Sequence, residues 1–300
     1  MSDAKNAKPD SHLIWHYTNF TGVKGILEKG DIWLNETTYM NDRDELRATR
    51  ERAREIAVGR AAMLGTHDKR YIIDPEGTAG RVAERVRTME AAFDRPALEN
   101  VFVASFSRRD NVLSQWRAYC PAGGAALGFD RENLCRGLEA VGIKLADCSY
   151  DELHVRRQDE PATEEQPGPP ALLREMHQAC QHLAVEIGGG AELDFSSIHR
   201  ICALYKHEGF CEEQETRAVF VLRPRKEMQP AIAVREARGR LIRHIVFKWA
   251  GDGEPALKAI RLAPGEPHER LAAQDSMRIL AREHAPTVKI LESVTPIRRD

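Results

Sequence analysis

Two carboxylates and a guanidinium stand at alternate positions in Glu213-Gln214-Glu215-Thr216-Arg217. On an extended strand, side chains two apart share a face, so Glu213, Glu215 and Arg217 would line one side. Glu215 can then sit beside a carbon on which positive charge develops and stabilise it electrostatically, while Glu213 orients an incoming nucleophile. Arg217 or the nearby Lys206 would neutralise a phosphate. The same alternation also suits an edge strand with a solvated charged face and an Arg–Glu pair.

A second set lies far upstream. His16 stands between Trp15 and Tyr17 on an apolar run; as a neutral imidazole it can hydrogen-bond a hydroxyl of a ligand or a group of the protein itself. Thr18 can assist it or cap the following helix. Ser105 and Ser107 alternate on Val-Phe-Val-Ala-Ser-Phe-Ser, so both should face one side with Val103, and Phe102, Ala104 and Phe106 the other. Gln115 and Trp116 can form a pocket wall or part of the core, and Tyr39 a ligand-stacking ring or a core or rim tyrosine. Asn41 and Asp42 shape the turn after Tyr39, or Asp42 caps a helix. Arg108 and Arg109 can meet phosphate or belong to a solvated turn.

These residues need elements to hold them. Leu13 to Thr18 reads as a strand, followed by a short helix with Phe20, Val23, Ile26 and Leu27 on one face, capped by Asn19 or Thr21 and closed by Gly30. Ile32 to Leu34 is strand-like, and Asp42 to Leu64 and Thr78 to Glu99 are rich in helix formers. Val101 to Ser107 and Ala125 to Phe129 are strands around a short helix and a Gly-rich turn. Gln158 to Pro170, acidic and proline-rich, reads as a loop. Helices follow at Ala171 to Ile187 and Ser196 to Lys206, then a strand from Thr216 to Leu222. The last third supplies further strands around a helix near Glu269 to Arg282. The sum is one mixed α+β domain over 13–300, with helical insertions at about 42–99 and 158–200 and a disordered tail over 1–12.

Composition narrows the chemistry. The chain has 300 residues, 44 Lys+Arg against 46 Asp+Glu, and a formal charge of -2, which argues against a broad electrostatic footprint for duplex DNA. It carries no P-loop, dinucleotide GxGxxG, HExxH, GxSxG or CxxC motif. Its six scattered cysteines are expected to be reduced, and no metal is expected. The polar start and the lack of a long apolar run point to a cytoplasmic protein away from membranes. A metal-dependent nuclease built on Asp42, Glu45, Glu213 and Glu215 has the right residue types without a recognised spacing.

Four segments, LIWHYTNFTGVKGILEKGDIWLNETTYMNDRDE, VFVASFSRRDNVLSQWRAYCPAGGAALGFD, YKHEGFCEEQETRAVF and VKILESVTPIR, resemble a widespread bacterial domain family marked by a His-Tyr-Thr strand, an Asn-Asp dipeptide, a Ser-Phe-Ser strand and a late Glu-x-Glu-x-Arg strand. Their order also resembles the ADP-ribosyltransferase superfamily, from about Leu13 to Arg298. The resemblance implies an ADP-ribosyltransferase-like, mostly antiparallel split sheet core. It further implies an NAD-dependent transferase or NAD glycohydrolase, a toxin, effector or anti-phage component, acting on a protein or nucleic acid and paired with an antitoxin or immunity protein. Glu215, Glu213, His16 and Tyr39 would be its catalytic residues, with His16 on a ribose hydroxyl and Tyr39 stacking nicotinamide. Tyr17, Thr18, Asn41, Ser105, Ser107, Trp116, Lys206 and Arg217 would complete the NAD site. A module that kept the pocket and lost turnover is the alternative. His16 stands where the branch with a Ser-x-Ser strand has arginine, so the chain mixes two signatures of the superfamily.

Overall fold

Asn19 ends strand β1 (Leu13–Asn19) and starts helix α1 (Phe20–Lys29), its side chain accepting from the Gly22 amide at 2.9 Å. This satisfies one of the donors that a helix start leaves unpaired. Val23 and Leu27 form the buried face of α1, and Gly30 ends the helix in the left-handed region (φ 64), where glycine carries no Cβ penalty. In this computed structural model the chain continues as β2 (Asp31–Glu36), a 3-10 turn (Thr37–Tyr39), α2 (Arg43–Thr66), α3 (Pro75–Asp94), β3 (Val101–Ser107), α4 (Leu113–Tyr119) and β4 (Gly124–Asp130). Then come α5 (Arg131–Ala140), β5 (Lys144–Asp147), α6 (Ala171–Glu186), α7 (Ser196–Leu204), a second 3-10 turn (Glu208–Glu213) and β6 (Glu215–Val221). Strands β7 (Ile232–Ala237), β8 (Arg240–Lys248) and β9 (Leu257–Leu262), helix α8 (Pro267–His284) and β10 (Lys289–Leu291) complete the order. The structure describes residues 12–39, 43–66, 75–94, 100–150, 171–187, 193–223, 230–237, 239–250 and 255–292. The tail over 1–11, Asn41, Asp42 and the loop expected over 158–170 lie outside them.

The fold is α+β, with a ten-stranded, mostly antiparallel open sheet in the order β10-β9-β4-β1-β3-β2-β8-β7 and the β5–β6 pair branching off β3. Among the described strands, the β10–β9 pair is the one that runs parallel. The branching has a simple geometric cause. A strand has two edges, and β6 occupies one edge of β3 from Val101 to Ser107. Strands β1 and β2 therefore share the other: β2 meets it at Phe102 and Val103, β1 only at Ser107, opposite Trp15. Beyond Trp15, β1 keeps its ladder with β4 to Asn19, and β2 runs along β8. The sheet is thus split beside Ala104, Ser105 and Phe106.

Each face of the sheet has its own core. Ile14, Phe102, Ala104, Phe106, Leu127, Phe129 and Ile260 pack with α1, α5 and α8 on one side. Val101, Val103 and Val219 pack on the other with the helices α2, α3, α6 and α7, which are the expected insertions. Trp15, Tyr17 and Trp116 form a smaller cluster; Trp15 lies over Gly128, where a Cβ would come within 2.8 Å of the indole. Burying a large apolar side chain of this kind is worth roughly 1.5–3 kcal/mol. Two elements, α5 and β5, are not anticipated by the sequence pattern. The second of them changes the site, because β5 pairs β6 from Lys144 to Asp147 and makes β6 an interior strand.

Candidate functional site

Glu215 opens β6 and lies opposite Ser107 of β3. Its carboxylate is 7% exposed and fully engaged: Arg217 Nε donates to Oε1 at 2.7 Å and Nη2 to Oε2 at 3.1 Å, while Lys206 Nζ donates to Oε2 at 2.8 Å. The third arm of the guanidinium, Nη1, donates to the Ala203 carbonyl of α7 at 2.8 Å. Lys206 Nζ also donates to Glu213 Oε2 at 2.5 Å and lies 5.0 Å from the centre of the Phe210 ring. Two carboxylates and two cations thus form one buried network in which the opposite charges offset each other's desolvation. Burial alone would raise the Glu215 pKa, but Arg217 and Lys206 hold it down at about 2. The Glu215 amide donates to the Tyr150 hydroxyl at 2.6 Å. Burial pushes the Cys148 thiol beside the network up to about 12, despite the favourable field of Arg217.

The expected edge strand with a solvated charged face is therefore corrected: β5 covers the outer edge of β6, and α7 closes over Arg217. The expected single face is corrected as well. Glu213 ends a 3-10 turn rather than lying on the strand, and Gln214 between the carboxylates takes a left-handed conformation (φ 42, ψ 53). Among the described residues it is the one non-glycine with positive φ, a conformation costing a side-chain-bearing residue about 1–2 kcal/mol. The turn is tied down by Ser107, whose hydroxyl donates to the Glu213 carbonyl at 2.6 Å, and by the Arg108 amide on the Gln214 carbonyl at 3.0 Å.

His16 lies in the split. Its Nδ1 is 2.9 Å from the Ser105 carbonyl. A carbonyl can only accept, so Nδ1 carries the proton. Burial lowers the pKa of the ring despite this bond, so it stands neutral with Nε2 as an acceptor. The ring is 5.7 Å from Phe106, on the face of Ile14 and Phe106. Glu215 and Arg217 alternate with Val219 onto the other face. The expected convergence of His16 and Glu215 on one cleft is thus not assembled; β3 lies between them. Ser105 and Ser107 do share the Glu215 side, as their alternation predicts.

The remaining candidates are packed or lie elsewhere. Tyr17 donates to the Arg109 carbonyl at 2.8 Å, accepts from the Val112 amide at 3.1 Å, and meets Trp116 edge-on at 4.6 Å. Trp116 is buried and donates to Asn111 Oδ1 at 2.8 Å, so both aromatics are core rather than ligand walls. Thr18 packs beside Gly22 of α1. The Tyr39 backbone ends the first 3-10 turn; its side chain and Asn41 lie outside the described residues. Arg217, with three donors already directed at Glu215 and Ala203, is corrected as a phosphate ligand. Arg108 lies 3.8 Å from Asp147. Residues not anticipated are Tyr150 and Asp147, the latter accepting from Thr216 Oγ1 at 2.6 Å and Arg131 at 2.8 Å. Both depend on the unanticipated β5. Among the described residues, no group of three or more His, Cys, Asp or Glu could hold a metal ion, and no helix is long and apolar enough to cross a membrane.

Residues 115–218 match the model of a family described as a protein of unknown function (DUF2971). The match runs from α4 through β6 and so includes Trp116, Glu213, Glu215 and Arg217, but neither β1 nor β3. No curated protein and no solved structure matches the chain.

Proposed function

We propose that this chain is an ADP-ribosyltransferase-like protein that binds NAD and transfers ADP-ribose to a protein or nucleic acid. One observation carries the reading: strands that are far apart in sequence and bear His16, Ser105 with Ser107, and Glu215 are neighbours in the order β1-β3-β6, and the sheet splits between β1 and β3. A split sheet with its signature residues on adjoining strands is what the superfamily resemblance implies. His16 Nε2 lies on the face of the sheet opposite the carboxylates, so it would reach a ribose hydroxyl only where the ligand passes through the opening between β1 and β3. The carboxylates of the turn before β6 would face the sugar carbon on which positive charge grows as nicotinamide leaves, and Lys206 would be the cation beside them.

A second reading is favoured by the saturation of Glu215. With both oxygens held by Arg217 and Lys206, its charge is largely neutralised, which suits a module that binds a nucleotide without turning it over. Purified protein, labelled NAD and cell extract separate the two. Transfer predicts label on a macromolecule and free nicotinamide; binding without cleavage predicts a calorimetric NAD signal alone. Neither signal would remove both.

A further inference from the structure

We propose that Glu213, and not Glu215, is the carboxylate that this site presents to a ligand, with Glu215–Arg217 as its fixed base and Lys206 as the positioning residue between them. The chemistry of this assignment rests on the NAD reading above; its geometry does not.

Glu215 is held from every side. It is paired in the ladder with β3, its carboxylate receives three donors across both oxygens, and its amide is bound to Tyr150. Drawing that carboxylate toward a ligand would strip Arg217 of its counterion while Arg217 stays anchored to Ala203 in a buried site. Breaking a buried charge network by removing one partner is strongly unfavourable.

Glu213 differs in the element that carries it. It ends the turn Glu208–Glu213, in which no residue is buried, and its side chain is 15% exposed against 7% for Glu215. The left-handed Gln214 takes it out of the alternation of β6, so its carboxylate need not enter the layer under α7. Phe210 of the same turn is 44% exposed and lies over Lys206. The backbone of the turn is tied to the end of β3 through Ser107 and Arg108, so Glu213 is presented by rotation of its own side chain away from Lys206, beside the exposed Phe210, and the sheet is left undisturbed. A non-glycine residue held in a costly backbone conformation between two chemically capable groups is where strain accompanies function.

In the step itself the bond between nicotinamide nitrogen and ribose C1′ breaks, and its electron pair leaves on the nitrogen. The acceptor oxygen, water in the simplest case, gives an electron pair to C1′ and releases one proton to solvent. Glu213 faces the positive charge that C1′ carries between these events.

Carbodiimide with an amine nucleophile, read by fragmentation mass spectrometry, reports the availability of each carboxylate without reference to activity. Labelling of Glu213 at least about tenfold faster than Glu215 is expected, a ratio equivalent to about 1.4 kcal/mol of opening; equal rates, or faster Glu215, would overturn the assignment. In the second arm, Glu213→Gln, which leaves Lys206 paired with Glu215, should lower the thermal midpoint less than Glu215→Gln does, yet lose about 100-fold in nicotinamide release. A Glu213→Gln protein that still releases nicotinamide at a third or more of the wild-type rate would also overturn it. If the wild type releases none, the NAD reading fails and the labelling ratio alone decides which carboxylate is presented.

Discussion

Strand β3 is held in opposite ways along its two edges. On the β6 side all seven residues are in register and the ladder ends in a buried cluster of Lys206, Glu213, Glu215 and Arg217. On the β1 side one register pair remains, and a single imidazole–carbonyl bond, His16 to Ser105, spans the opening. The first edge is rigid because charge taken from water must keep its partners. The second is more sparsely held, by two register pairs to β2, one to β1, and the bonds of Tyr17 to the chain after β3. The two edges of β3 therefore differ in how much must break before a neighbouring strand parts from it.

The largest test of this contrast is Arg217→Met. It leaves Glu215 buried without its fork, and about 3–5 kcal/mol should be lost in a denaturant titration. A loss below about 1 kcal/mol would mean that the network contributes little to the fold.

Acid probes the same edge. The folded pKa of Glu215, about 2, lies below the ordinary carboxylate value. Its stabilisation is therefore present above the unfolded pKa and is lost as pH falls from about 5 toward 2. His199, held down at about 4 by burial, works in the same direction: the unfolded state takes up its proton first, so stability also declines between about pH 6.5 and 4. Denaturant midpoints measured at intervals from pH 7 to 3 should fall in both windows, and His199→Asn should shrink the upper one, to which His16, also lowered by burial, contributes as well. A flat profile would contradict both assignments.

How much of this contrast could be read from the sequence depended on the residue. The two faces of β3 followed from strict alternation, small or polar against Phe and Ala, because a strand's period is local. The Asn19 and Gly30 boundaries of α1 were equally local. The burial of β6 was not legible, since it depends on β5, whose short run Lys144–Asp147 is only half-buried and carries little hydrophobic pattern. The departure of Glu213 from β6 is not legible because Gln214, unlike glycine or asparagine, gives no sign that it leaves the extended region. The split itself is a tertiary fact, set by which strands β1 and β2 find as partners.

On the open edge, smaller effects are expected. His16→Ala should cost about 1 kcal/mol, the worth of one hydrogen bond, and weaken NAD binding in calorimetry. A loss as large as that of Arg217→Met would show that the split edge is no softer than the other. Smallest of all, Gln214→Gly relieves the left-handed strain but adds freedom to the unfolded chain, so a net gain below about 1 kcal/mol is expected. Marked destabilisation by glycine would show that the Gln214 side chain, rather than its backbone, holds the turn.

The most direct measurement is chromatographic: NAD incubated with the purified protein, with free nicotinamide followed over time beside a Glu213→Gln control. The account predicts nicotinamide from the wild type and about a 100-fold slower release from the variant. No nicotinamide above the spontaneous rate, together with no heat of NAD binding, would contradict it.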